Sequence, residues 1–242
     1  NNRFLPDSPF PESLTVTSLL EITLNKSDLV IIAVPSDCFR DNVRQISPHL
    51  NPGTVLLSAT KGLELPAAQR MSQVMKDELP IGLHSGICVL SGPNLAKEIV
   101  RGKPASTVIA SQNAASARKS QDTLMSANFR VYTSTDILGV ELAGALKNIV
   151  ALGAGIADGM EAGENAKATV ITRGLAEITR LGIAAGADPL TFAGLAGLGD
   201  VVATCSSGLS RNRFVGEQLA NGRSWVEIQE SMDNVAEGVN AT

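Results

Sequence analysis

Short apolar runs without polar alternation punctuate the first half of the chain. They fall at residues 28–34 (DLVIIAV), 54–60 (TVLLSAT), 86–91 (GICVLS), 106–111 (STVIAS) and 129–133 (FRVYT). Runs of this kind are strands buried on both faces. Between them lie segments of helical character at 37–50, 66–79, 93–101 and 114–127. Strand–helix–strand order implies a parallel sheet with right-handed crossovers, so the pattern predicts a doubly wound α/β domain over residues 1–134. From Asp136 the strand pattern stops. Residues 136–158 read as one long apolar helix and 164–185 as another, with shorter helices at 189–196, 211–221 and 225–232. Gly159, Gly163, Gly186 and Gly222 stand where these helices should end. A mostly α-helical second domain is therefore expected over 135–242.

Composition narrows what such a chain does. Hydrophobic residues make up 44% and charged residues 18%, the profile of a folded domain rather than a disordered one. A net charge of -4, with no long Lys/Arg block, argues against nucleic acid as a partner. Cys38, Cys88 and Cys205 are dispersed and odd in number, which suits reduced thiols in a cytoplasm better than a disulfide framework. The most apolar stretch, residues 142–157, is short for a bilayer and carries Lys147 near its middle, so stable membrane insertion is not expected. His49 and His84 have no second ligand at metal-binding spacing, so no metal site is expected. Proton-transfer chemistry would then fall to Lys, Asp or Glu.

Ligands of open α/β sheets bind beyond the carboxyl ends of the strands. Those ends read Pro35-Ser36, Ser58-Ala59-Thr60-Lys61-Gly62 and Ser91-Gly92-Pro93-Asn94. Gly92 allows a ligand close to the backbone, and Lys61 is either an exposed loop lysine or a cation for a phosphate or carbonyl. Lys147 is the sharper signal, the only charge between Leu142 and Ala157. Burial would lower its pKa towards the range of proton transfer, although a lysine snorkelling from a buried helix fits equally well. Asp200, in a glycine-rich apolar stretch, could pair with an ammonium. Ser210, Arg211 and Asn212 open a helix, which makes either a capped, solvated helix start or a phosphate site. One acid, one isolated lysine and one anion site suggest reduction of a phosphorylated carbonyl compound.

The segments SATKG (58–62), SGPNLAKE (91–98), GVELAGALKN (139–148), TRGLAE (172–177), GLAGLGD (194–200) and SRNR (210–213) occur in an order and spacing similar to bacterial NAD(P)-dependent glycerol-3-phosphate dehydrogenases. That resemblance implies a Rossmann domain, a helical domain and a substrate held between them. It implies NAD or NADP as cofactor, a small phosphorylated three-carbon substrate, and a place in glycerophospholipid synthesis. It also allows a homodimer. Position by position, Lys147 resembles the family's general acid/base and Lys61 its lysine contacting substrate and nicotinamide. Gly92, Asn94, Lys147, Asn148, Asp200, Thr204, Ser210, Arg211 and Asn212 fall at substrate-binding positions. Ala96, Arg211, Val235 and Glu237 fall at cofactor positions. Asn94 stands where the family commonly has Ser or Thr, and the family's glycine-rich first turn is not among these residues, so the sequence reads as part of a longer protein. Two other readings fit: a two-domain β-hydroxyacid-type dehydrogenase acting on a carboxylate, or a non-catalytic metabolite-binding module. SRNR following GLGD favours a phosphate over a carboxylate, and retention of Lys147, Asp200 and Arg211 together favours an enzyme.

Overall fold

A computed structural model describes residues 5, 8–232 and 237–240. Its strands are β1 (Leu29–Ile32), β2 (Val55–Ser58), β3 (Leu63–Glu64), β4 (Gln69–Arg70), β5 (Ile87–Ser91), β6 (Ala105–Ala110) and β7 (Phe129–Ser134). Five of them form a sheet in the order β1-β2-β5-β6-β7, and β3 and β4 pair as a separate small hairpin. The helices are α1 (Leu20–Leu24), α2 (Phe39–Ile46), α3 (Met71–Glu78), α4 (Ala96–Ile99), α5 (Ala114–Leu124), α6 (Ile137–Gly159), α7 (Glu164–Ala184), α8 (Pro189–Ala193), α9 (Asp200–Ser206), α10 (Arg211–Ala220), α11 (Trp225–Glu230) and α12 (Glu237–Asn240).

The apolar runs become strands because both faces of the sheet are covered. Leu56 and Ile87 pack with Phe39, Val43, Val74 and Met75 of α2 and α3 on one side. Leu57, Cys88, Ile109 and Val131 form a cluster on the other, with Leu124 of α5 against it. Every residue of β2 is buried. A third cluster joins Val89 and Ala110 of the sheet to Val140, Ala143, Val150 and Ala154 of α6 and to Phe192 and Val201 beyond it. The long apolar helix is thus the shared wall between sheet and helical part. It is 23 residues, shifted by one from the expected 136–158, and long enough by length and composition to cross a membrane, but 61% of its most apolar window is buried inside the molecule.

Several elements depart from expectation for physical reasons. The sheet is parallel except where β5 meets β6, which run antiparallel. Residues 92–104 between them hold only the short α4, too little helix to carry the chain back along a parallel crossover. The helix expected over 66–79 starts at Met71, because residues 63–70 fold into the β3–β4 hairpin instead. The helix expected over 189–196 stops at Ala193, and the glycine-rich stretch after it is a π-helical turn, Leu195–Gly199, running directly into α9. Burial of Ala196, Val201 and Cys205 in the third cluster overrides the low helix propensity of its glycines.

Caps set where the functional helices begin. Asp136 accepts the Gly139 N–H (2.8 Å) at the start of α6, and Ser210 accepts the Arg213 N–H (3.3 Å) at the start of α10. α10 then lies along α6 at backbone contact. A Cβ on Gly155 would fall 1.9 Å from the Arg213 carbonyl oxygen, so the glycine lets α10 approach this closely. Asp158 at the end of α6 locks the pair, accepting from Arg213 Nε (2.5 Å) and Lys167 Nζ (2.9 Å). Gly155→Ala should therefore push the start of α10 outward. In the full-length protein it is expected to cost on the order of 1–3 kcal/mol in denaturant unfolding, the usual penalty for overpacking. An unchanged midpoint would show that the helices part freely.

Candidate active site

The site assembles where the carboxyl rim of the sheet meets α6 and α9. Lys61 follows the end of β2 by three residues, Gly92 follows β5, Lys147 lies mid-way along α6, and Asp200 opens α9. Lys61 Nζ donates to Asp200 Oδ2 (2.6 Å) and to the Gly92 carbonyl (2.8 Å). Lys147 Nζ donates to Asp200 Oδ1 (2.5 Å) and to Thr204 Oγ1 (2.6 Å), one helical turn along α9. One carboxylate, 1% exposed, thus bridges two ammonium groups from different parts of the fold.

The two lysines are not equivalent. Lys147 is 7% exposed, whereas Lys61 is half-buried at the rim. Burial lowers the Lys147 pKa, the nearby charge of Lys61 lowers it further, and Asp200 pulls it back up; the result is about 8. A lysine in this range gives up and regains a proton near neutral pH, as a general acid/base must. Cys205, on the same helix as Asp200, is pushed by burial up to about 11, so it remains a thiol beside the lysine.

Around this centre the other candidate residues fall into three groups. Asn148, next to Lys147, accepts from Asn212 Nδ2 (2.9 Å), and Asn212 Oδ1 accepts the Gly238 N–H (2.9 Å), which ties α6, α10 and α12 together. Ser210 is buried as the cap of α10. Asn94 donates to Thr107 Oγ1 (3.0 Å), and Thr107 donates to the Ser91 carbonyl (3.0 Å) beside Gly92. Gly92 has φ +148°, and a Cβ there would lie 3.0 Å from Thr107 Cα, so this rim position admits only glycine without a shift. Arg211 stands apart from the lysine pair. It is exposed, without an ion pair among the described residues, and lines a cavity of about 230 Å³ with Lys97, Ser210, Phe214 and Met232. Ala96, exposed at the start of α4, neighbours Lys97. Val235 and the side chain of Glu237 lie outside the described residues.

The sequence reading missed Thr107, which with the rim residue Ser91 holds Asn94 and Gly92 in place, and Lys97 of the Arg211 cavity. Only the antiparallel pairing of β5 and β6 brings Thr107 to this rim, and nothing in the local pattern signals it. The rim also has chemistry to offer a ligand. Ser58 Oγ and Ser91 Oγ, at the carboxyl ends of adjacent strands, and Asn94 Oδ1 are buried and have no protein partner among the described residues. Such atoms are costly unless something bonds them, and they fit a polar ligand laid across this rim.

A Rossmann-type sheet whose rim lysine meets a lysine and an aspartate from the helical part is the arrangement of a nicotinamide-dependent dehydrogenase. Comparison with known proteins makes this specific. Family models described as the N-terminus and the C-terminus of NAD-dependent glycerol-3-phosphate dehydrogenase match residues 1–117 and 136–242. A glycerol-3-phosphate dehydrogenase [NAD(P)+] of Dehalococcoides mccartyi is 57% identical over 240 residues, covering 99% of this chain and 67% of that protein. One from Anaeromyxobacter dehalogenans is 46% identical, covering 99% and 72%. The crystal structure of the Coxiella burnetii glycerol-3-phosphate dehydrogenase superposes with a TM-score of 0.94 at 38% identity, over 100% of this chain and 73% of that one. A ketopantoate reductase from Ralstonia eutropha, at 17% identity and TM-score 0.54 over 90% and 75%, shares the fold alone. The chain belongs to the NAD-dependent glycerol-3-phosphate dehydrogenase family, and it spans about two thirds of the length of the first of these relatives.

The shifted lysine carries a stability consequence. Its ordinary value is 10.5 and its folded value about 8, so between those pH values the unfolded chain holds more proton than the folded one. Stability contributed by this group therefore rises with pH through that window and is lowest below it. Lys147→Met should leave the full-length protein as stable as wild type or more so at pH 7, by on the order of 3 kcal/mol at most. The advantage should shrink as pH rises from about 8 to 10. A variant that melts well below wild type at pH 7 would mean that Lys147 serves the fold.

Proposed function

We propose that this chain supplies the substrate site and proton-transfer machinery for interconverting dihydroxyacetone phosphate and sn-glycerol 3-phosphate with NAD(P)(H). The observation that carries it is the buried ammonium of Lys147 bonded to Asp200 and Thr204 at the rim of the nucleotide-type sheet. Hydride exchange at C2 of the substrate is the chemistry that a bound nicotinamide would supply. Everything else falls to protein groups. In the reductive direction Lys147 Nζ gives its proton to the oxygen growing on C2, and in the oxidative direction neutral Lys147 removes it. Asp200 holds the amine towards the substrate and stabilises it as a cation. Lys61, fixed by Asp200 and the Gly92 carbonyl, faces the same charge from the sheet side and screens it. Asn148 and Asn212 keep the start of α10 in register with α6, so that Ser210, Arg211 and Asn212 meet the phosphate with a hydroxyl, a guanidinium, an amide and free backbone N–H groups. Ala96, Lys61, Arg211, Val235 and Glu237 are the residues proposed to face the cofactor.

The oxidoreductase would act in the cytoplasm and feed glycerophospholipid metabolism, the setting that family membership suggests. The carboxylate-substrate alternative is disfavoured because Arg211 and Lys97 line one cavity beside a helix start, which suits a doubly charged phosphate better than a carboxylate.

Two substitutions in the full-length protein test this reading. Lys147→Met should lower kcat by roughly 10²–10⁴-fold, the contribution general acid/base catalysis typically makes. Near-normal turnover would remove Lys147 from the chemistry. Arg211→Ala should raise KM for dihydroxyacetone phosphate by an amount equivalent to about 2–5 kcal/mol, since the bound phosphate would lose its charged partner. A solvated arginine would change binding and stability by no more than about 0.5 kcal/mol. Both Michaelis constants and a thermal melt should be measured together. An early melt with normal substrate affinity would assign Arg211 to the fold.

A further inference from the structure

Outside the lysine–aspartate centre, α6 carries one more buried charge that the chemistry above does not use. Glu141 lies six residues before Lys147, and its side chain is 7% exposed. Its Oε1 accepts the Ser72 N–H (2.7 Å), and its Oε2 accepts both the Ser72 hydroxyl (2.6 Å) and Arg70 Nη1 (2.7 Å). Arg70 Nη1 also donates to Ser72 Oγ (3.0 Å), closing the cluster. Arg70 ends the β3–β4 hairpin and Ser72 lies in the first turn of α3.

The significance lies in what that hairpin is attached to. Lys61 is two residues before β3, so residues 61–72 form one loop held to the helical part at both ends. Lys61 is bonded to Asp200 of α9 at its start, and Arg70 and Ser72 are bonded to Glu141 of α6 at its finish. The hairpin is braced from outside as well: Arg40 of α2 donates from Nε and Nη2 to both oxygens of Glu64 (2.7 Å each) and to Gln69 (2.5 Å). Burial works against the charged form of Glu141, raising its pKa, while the Ser72 and Arg70 contacts pull it back down. A carboxylate placed in such surroundings for packing alone would be a poor choice, since an apolar residue of similar volume commonly does as well or better.

We infer that Glu141 is a positioning residue of the dehydrogenase, anchoring the 61–72 loop on the helix that bears Lys147 so that Lys61 is held opposite it on Asp200. This rests on the proposed roles of Lys61 and Lys147. It also makes a directional claim about charge. The groups facing Lys147 are Asp200, Lys61 and the Cys205 thiol; those facing Glu141 are Arg70 and Ser72. Of these, Lys61 is the one that the anchor would release. With Lys61 free to swing out, a like charge leaves Lys147 and Asp200 is shared by one ammonium instead of two. The Lys147 ionisation then moves to higher pH. Plain loss of a negative charge at Glu141, or an unpaired Arg70, would move it to lower pH, so the sign separates positioning from simple electrostatics.

The test is Glu141→Gln in the full-length protein, with Ser72→Ala as the milder second variant. The steady-state rate of dihydroxyacetone phosphate reduction is followed from pH 6 to 10, together with backbone hydrogen exchange of the 59–72 segment. Glu141→Gln should lower kcat/KM by roughly 10- to 100-fold, as loss of positioning at a distance from the chemistry can. The alkaline limb of its profile should lie at higher pH than in wild type, and residues 60–72 should exchange faster. Ser72→Ala should shift all three readouts the same way by less, and it decides the matter if Glu141→Gln fails to fold. An unchanged kcat/KM, an alkaline limb that stays put or moves to lower pH, or unchanged exchange in 60–72 overturns the inference, whatever the melting temperature does. Lys147→Met measured alongside keeps the two levels separate: normal turnover there defeats the proposed chemistry, whereas the exchange data still decide whether Glu141 anchors the loop.

Discussion

The structure turns on one carboxylate shared by two ammonium groups. Asp200 is almost wholly buried and would be costly alone, as would Lys147. Each makes the other tolerable, and Lys61 adds the second positive charge that keeps the lysine amine near its switching point. Because Lys61 comes from the sheet and Lys147 and Asp200 come from the helical part, this triad also joins the two halves of the molecule. Removing Asp200 would leave Lys147 buried without a counter-charge, and removing Lys61 would untie the sheet from the helical part, whereas losing Lys147 still leaves Asp200 paired with Lys61. Chemistry and architecture are therefore served by the same three side chains.

The helical part is organised to hold that triad still. α6 is the wall against which the sheet, α7, α9 and α10 all pack, and Phe192 and Val201 close its far side. The backbone contact at Gly155, the Asp158 locks to Arg213 and Lys167, and the Asn148–Asn212 bond fix α10 on α6 without leaving room for sliding. As a result, the Ser210–Asn212 helix start keeps a set distance from Lys147. In the proposed reaction a phosphorylated substrate would span that separation, with its phosphate at the guanidinium and its carbonyl at the amine.

Much of this was legible in the residues, and the parts that were not share a cause. The strands announced themselves as unbroken apolar runs, and α6 as a long apolar segment over 136–158. Lys147 stood out because a lone charge in such a helix has to be explained. Asp200 and Lys61 could be named as candidates, but their meeting at one site depends on how α9 and the β2 end come together, which no local pattern encodes. No helix was expected over 197–206, because the glycines of GLAGLGD weaken the helical pattern there, and only the packing of Ala196 and Val201 overrides them. The antiparallel β5–β6 pair, and with it the role of Thr107, follows from a connection too short for a parallel return. Glu141 was passed over although it lies within the same motif as Lys147. A carboxylate six residues away on an otherwise apolar helix is the same kind of signal, and it gains meaning only once Arg70 and Ser72 are seen to cover it.

The account depends most on Lys147 being a buried amine poised near neutrality. The direct measurement is an NMR titration of the full-length protein with its lysine side chains isotopically labelled at the carbon next to the amine. One resonance, absent from Lys147→Met, should titrate with a midpoint at about 8. A Lys147 resonance titrating near 10.4, with the exposed lysines, would contradict the account.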